Sequence, residues 1–221
     1  MTIRIGAIHA LTASIDPIKA AFARIWPEAQ VVNLLDQSLY ADYGRWGRET
    51  KEIARRVSTL IEYSAKSGAE AILFSGSLFS TSVERARSSI SVPVLTAYEA
   101  MIEAAFTAGT QLEALATVTD TITALERDIR AYAEKKGVPF TLNTHYVEGA
   151  MEALQVGDRL RHDELVAAAA AELKGCDALL LAQHSMGPVR QRIADVPGRQ
   201  VLTSPDTAAL KLKELIDRPS T

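Results

Sequence analysis

Four segments of the chain carry side chains that could move a proton or hold an anion: His9 with Thr12, Ser75-Gly76-Ser77, Thr117 to Thr121, and Gln183-His184-Ser185. An imidazole titrates near pH ~6.5, so His184 and His9 are the candidate acid–base groups at neutral pH. His184 follows an apolar run at a predicted strand end, and His9 has the equivalent place in the first part of the chain. Gly76 permits close backbone approach, and a helix expected to start near Ser80 would aim its N-terminal N–H groups at a carboxylate. Ser75, Ser77, Thr119, Thr121 and Gln183 add neutral donors, with no carboxylate cluster beside them. That combination suits a small anionic substrate. Each group also has a plainer reading: serines and threonines as helix caps, histidines as hydrogen-bonded residues at a sheet edge.

Other candidates read as structural. His145 lies inside a predicted strand. His162-Asp163-Glu164 looks metal-like, but consecutive residues at a helix start fan out, so solvated capping is expected. Tyr40, Tyr43 and Trp46 could close over a ligand, but the first expectation is that they anchor the loop after the second strand, with Asp36 before them as an N-cap or turn residue. There is no Walker motif and no complete G-x-G-x-x-G, which disfavours a nucleotide.

The elements that must position these groups alternate. Short apolar runs at 3–8, 31–35, 71–74, 92–95, 112–118, 140–147, 178–182 and 200–203 read as strands. Several are apolar throughout, as in a parallel sheet covered on both faces. Helical patterns fill the gaps. Asp16-Pro17 and Ser204-Pro205 supply cap-and-proline starts, and Gly68, Gly137 and Gly175 mark helix ends. The alternation predicts an α/β fold. An internal repeat sharpens it: Gly68-Ala-Glu-Ala-Ile-Leu-Phe-Ser-Gly76 resembles Gly175-Cys-Asp-Ala-Leu-Leu-Leu-Ala-Gln183, and Val94-Leu-Thr96 matches Val201-Leu-Thr203, both at an offset of 107. Two pseudo-symmetric, Rossmann-like halves with mainly parallel sheets and an inter-domain cleft are expected. The first is 1–97, completed by a C-terminal helix at 205–221; the second is 98–204. In such sheets ligands gather at the carboxyl ends of the strands, where the four segments fall.

Composition narrows the function classes. The chain has 221 residues, 48% of them hydrophobic, and a net charge of −3, so it lacks the basic footprint of a nucleic-acid binder. One cysteine excludes a disulfide framework or a multi-cysteine metal site and suits a reducing compartment. The opening Met1-Thr-Ile-Arg-Ile-Gly6 reads as a strand rather than a signal peptide, and apolar runs fall short of a membrane span. A cytoplasmic protein without a membrane partner is expected.

Together the segments resemble the aspartate/glutamate/hydantoin racemase superfamily. The matching stretches are Gly6-Ala-Ile-His9-Ala, Val32-Asn-Leu-Leu-Asp36, Ala71-Ile-Leu-Phe-Ser-Gly-Ser77, Pro93-Val-Leu, Glu99-Ala-Met101, Gly149-Ala150 and Leu181-Ala-Gln-His-Ser-Met186. The resemblance implies no cofactor, no metal, a homodimer or larger homo-oligomer, and a small carboxylic acid or amide bound between two halves. It also implies two cysteines on opposite faces of the substrate carbon. Here Gly76 stands where the first would be and Gln183 where the second would be. Neither can shuttle a proton. The chain is also similar to the arylmalonate decarboxylase branch, which has glycine at the first position followed by carboxylate-binding hydroxyls, but keeps the second cysteine.

The expected activity is therefore proton transfer at a carbon next to a carboxylate or carbonyl of a small acid. His184 and His9 would carry the proton, and Ser75, Gly76, Ser77, Thr119, Thr121 and Gln183 would bind substrate. Isomerisation is the first reading. Decarboxylation or another lyase reaction, and a non-catalytic small-acid binder, are the alternatives. Cys176, at the entrance of its strand, is expected to pack rather than react.

Overall fold

The computed structural model describes residues 2–217. It divides into two compact units, Met1–Ala100 with Ala208–Thr221, and Met101–Thr207.

In the first unit, β1 (Ile3–His9), β2 (Ala29–Leu35), β3 (Ala71–Phe74) and β4 (Val94–Leu95) form a parallel sheet in the order β2-β1-β3-β4. Helix α1 (Ile15–Ile25) places Ile18 and Phe22 over Ile5, Ala7, Ala71 and Leu73. Asp16 falls in the first turn of α1 rather than at its cap, which is Ser14. Helix α3 (Lys51–Lys66) starts where the Thr50 hydroxyl accepts the Ile53 N–H at 3.2 Å, a cap that contributes about 1 kcal/mol. Its apolar face, Ile53, Val57 and Ile61, is buried. Gly6 makes the contact of α3 with β1 possible: a side chain there would collide with Ser64 Oγ of α3.

The aromatics after β2 are not on a loop. They lie on α2 (Ser38–Trp46), which buries Leu39 and ends at Gly47 in the left-handed region, φ 61°. The loop expectation missed this because the segment shows only one fully buried position, too few to give a helical stripe. A short α4 (Ser80–Arg87) follows β3, and α5 (Glu99–Ala108) leads into the second unit.

There β5 (Gln111–Ala116), β6 (Thr141–Tyr146), β7 (Ala178–Leu181) and β8 (Gln200–Thr203) repeat the arrangement as β6-β5-β7-β8, again parallel. The register carries the duplication seen in the sequence. Ile5 pairs with Ala71 and Ile8 with Phe74; Leu112 pairs with Ala178 and Leu115 with Leu181. Helices α6 (Thr119–Lys136), α7 (Ala150–Gln155) and α8 (Arg159–Glu172) connect these strands. Helix α8 does not end on Gly175. The buried Arg199 reaches its last turn and donates to the carbonyls of Ala170, at 2.9 Å, and Leu173. Helix α9 (Ser204–Asp217) begins in the second unit, and its Ala208, Ala209 and Leu212 join the core of the first. Among the described residues no helix is long and apolar enough to cross a membrane.

Candidate functional site

At the carboxyl end of the first sheet, β1 delivers His9 and β3 delivers Ser75 and Gly76. His9 is 0% exposed. Its Nδ1 lies 2.9 Å from Ser14 Oγ and 3.2 Å from Ser75 Oγ, and its Nε2 lies 2.9 Å from Asn33 Oδ1. The two hydroxyls are 3.1 Å apart, and Ser14 can also donate to the Leu11 carbonyl at 2.7 Å. With Asn33 accepting, Nε2 carries the ring hydrogen and Nδ1 accepts from a serine. Burial pushes the imidazole below its ordinary value, against the opposing effect of the Asn33 bond. Ser75 is backbone-bonded to β1, its N–H donating to the Ile8 carbonyl at 2.8 Å.

Gly76 needs no unusual φ; its backbone is extended, at φ −82°. What it needs is space. A Cβ there would stand 2.8 Å from Phe79 Cδ2 and 2.9 Å from Phe74 Cε1. Those rings pack edge to face at 6.2 Å, and Tyr40 and Tyr43 close on Phe79 at 5.4 and 6.0 Å. Ser77 begins a 3-10 turn, Ser77–Phe79, and its Oγ lies 3.4 Å from the Tyr40 hydroxyl. No side chain caps α4, so Ser75 and Ser77 are not its N-cap. Asp36 accepts from the Ser38 N–H at 3.0 Å and from Arg56 at 2.8 Å. Burial alone would raise its carboxyl, but the bonds from Ser38 and Arg56 and the Arg56 charge hold it below the ordinary value.

At the carboxyl end of the second sheet, Thr117 follows β5 and Gln183-His184 follows β7. The Thr117 N–H donates to Gln183 Oε1 at 3.1 Å, which fixes the carboxamide. Thr117 Oγ1 and Gln183 Nε2 are both buried and have no hydrogen-bond partner among the described residues. His184 and Ser185 are buried at the start of a 3-10 segment, His184–Arg192, and the Ser185 carbonyl accepts from Arg159 at 3.3 Å. Thr119 is exposed at the first position of α6, and Thr121 is partly buried two residues on. No side chain caps α6 either: its N-cap position is Val118.

The structure thus joins His9 to Ser75 and Thr117 to Gln183 by hydrogen bonds. Sequence reasoning missed Ser14 and Asn33. Asn33 was legible in retrospect, as a polar residue inside an apolar strand that pairs with Ala7, on the face His9 shares. His162 and Asp163 depart from the expected solvated cap. Both are buried, with His162 Nδ1 2.8 Å from Asp163 Oδ1. The helix cap is Asp158 instead, accepting from the Arg161 N–H at 3.0 Å. His145 bridges to the neighbouring strand, its Nε2 2.6 Å from Glu113 Oε2. No group of three or more His, Cys, Asp or Glu among the described residues is arranged to hold a metal ion.

A search of curated proteins returns no match. Solved structures are similar in fold. The allantoin racemase from Klebsiella pneumoniae aligns with a TM-score of 0.73 at 18% identity, covering 97% of this chain and 87% of that one. An aspartate racemase homologue from Pyrococcus horikoshii aligns at 0.72 and 16% identity, covering 99% and 100%. A glutamate racemase from Bacillus anthracis aligns at 0.66 and 13% identity, covering 97% and 81%. The model of the Asp/Glu/hydantoin racemase family matches residues 11–212. With the family model spanning most of the sequence and the two parallel sheets matching the two-domain racemase fold, the chain belongs to the Asp/Glu/hydantoin racemase family.

Proposed function

We propose that this protein is a racemase-like isomerase that works without a cofactor and without a thiol pair. It exchanges the proton on a carbon next to a carboxylate or carbonyl of a small acid. Family and fold support a racemase-like function in general terms; the chemistry at the site is our reading. One observation carries it. At the end of β7, Gln183 is locked by the Thr117 N–H, while Gln183 Nε2 and Thr117 Oγ1 stay buried without a partner among the described residues. A buried polar group left unmatched costs roughly 1–3 kcal/mol, and such a cost persists where a ligand collects on it. Two donors held this way suit one acceptor oxygen, and they would stabilise the oxyanion that develops as the neighbouring carbon loses its proton. His184, next in sequence to Gln183, is the proposed proton carrier. Ser77, Thr119 and Thr121 are the proposed hydroxyls for a substrate carboxylate.

The test incubates the protein in D2O with single enantiomers of aspartate, glutamate and allantoin, the compounds named for its structural relatives, and with substituted malonates. Deuterium is read by mass spectrometry and configuration by chiral chromatography. Deuterium at the carbon together with the opposite enantiomer supports the proposal. Release of CO2 moves the reading to a decarboxylase. Tight binding without exchange moves it to a binding protein.

A further inference from the structure

We propose that Ser75 is the group in the first unit that exchanges a proton with substrate, with His9 as the buried base behind it. The proposal rests on the function proposed above. The resemblance puts a thiol at position 76, and the aromatic rings of Phe74 and Phe79 occupy the space its Cβ would need. The neighbouring hydroxyl is wired to a base instead. His9 is 0% exposed and both of its ring nitrogens are engaged, by Asn33 and by the serines, whereas Ser75 is 7% exposed. The link between them is short: 3.2 Å directly, or 3.1 Å to Ser14 and 2.9 Å onward to His9 Nδ1.

The transfer balances. The substrate C–H bond breaks and its electron pair stays on the substrate as an enolate. The proton joins Ser75 Oγ as the hydrogen already there passes to His9 Nδ1, directly or through Ser14. The resulting imidazolium has a partner for both N–H groups: a serine oxygen at Nδ1 and Asn33 Oδ1 at Nε2. If Nδ1 donates to Ser14, that hydroxyl can turn to the Leu11 carbonyl at 2.7 Å. The network therefore satisfies both protonation states without moving a heavy atom, and reversal returns the proton to the carbon. Asn33 and Ser14 are positioning residues: they fix the tautomer that leaves Nδ1 facing the serines.

Two measurements test this. In the free protein, 15N NMR of the histidine rings should show His9 as the neutral Nε2–H tautomer; an Nδ1–H tautomer overturns the relay. In the D2O assay, Ser75→Ala should lower kcat for exchange at least 100-fold with KM within threefold. Ser75→Thr, which keeps the hydroxyl, should recover to within tenfold of wild type. An active wild-type protein whose Ser75→Ala variant exchanges within threefold of it overturns the relay and leaves the proposed function standing. A wild-type protein that exchanges no acid's proton overturns the function and the relay with it. Should Ser75→Ala fail to fold, the tautomer decides.

Discussion

At the end of β3 the polar groups close on one another: Ser75, Ser14, His9 and Asn33 are joined by hydrogen bonds, and aromatic rings fill the space above Gly76. At the end of β7 they do not close. Gln183 is fixed at one end by Thr117, and two buried polar atoms have no partner among the described residues. Both ends stand on the same strand frame, with Ser75 N–H bonded to the Ile8 carbonyl and Ala182 N–H to the Leu115 carbonyl at the equivalent position. The frame is duplicated, and the two ends differ in a few strand-end side chains. On the proposals made above, the first end would store a proton and the second would receive a ligand atom.

The largest expected effect is at the open end. His184→Ala should lower kcat for proton exchange at least ~100-fold, the lower bound usual for a general acid–base group. Circular dichroism checks that the fold survives, and the D2O assay gives the rate. A variant that exchanges as fast as wild type removes His184 from the chemistry and leaves the second end as a binding site only.

Restoring a thiol to the closed end should fail. Gly76→Cys puts a Cβ 2.8 Å from Phe79 and 2.9 Å from Phe74. Overpacking of this kind costs about 1–3 kcal/mol. Urea unfolding should show that loss, and the racemisation rate should not rise. An unperturbed, faster variant would mean that the aromatic packing does not commit the site against a thiol.

Thr117→Val reads the difference between the two ends most directly. It removes a hydroxyl that has no partner among the described residues, so stability should hold or rise slightly. Substrate binding should weaken by about 1–3 kcal/mol in Kd, the worth of a hydrogen bond to a charged group. Calorimetric titration and thermal unfolding separate the two. Loss of stability with unchanged affinity would show that the hydroxyl serves the fold.

The closed end has a pH signature. Burial lowers His9 below its ordinary value of 6.5, so between the folded and the unfolded value the unfolded chain binds more protons. That contribution to stability is complete above pH 6.5 and is lost as the pH falls through the folded value. Tm should decline as the pH falls from 6.5 to the folded value, and His9→Gln should flatten that decline. A Tm that does not respond to the variant places the acid sensitivity elsewhere.

Much of the fold was legible, for reasons particular residues show. Most strands among the described residues are short apolar runs, and the common offset of the repeat reappears in the pairing of Ile5 with Ala71 and of Leu112 with Ala178. Helix α2 was not legible, because its aromatics pack on Phe79, a residue far along the chain. Nor was the end of α8, where Arg199 takes the place of the expected glycine. The same limit applies to the sites. Gly76 and Gln183 could be placed from the repeat. That His9 would be enclosed by Ser14 and Asn33, and that His162 would be buried against Asp163, depends on partners that no local pattern names.

The smallest effect should come from the opposite ends of the same two strands. Cys176 enters β7 as Ala69 enters β3, at the offset of the repeat, and the two are 7% and 5% exposed. Cys176 packs with Leu179, Val166 and Ala170, and burial pushes its thiol up, away from the reactive thiolate. It lies seven residues before Gln183, roughly 23 Å along an extended strand at about 3.3 Å per residue. Cys176→Ala gives the second strand the entrance residue the first already has. It removes one small buried group, so the cost should stay near 1 kcal/mol or below. Exchange kinetics should match wild type, and iodoacetamide should inactivate neither protein while it is folded. If Cys176→Ala abolishes exchange while His184→Ala does not, the chemistry belongs to the strand entrances, and the assignment of both carboxyl ends is wrong.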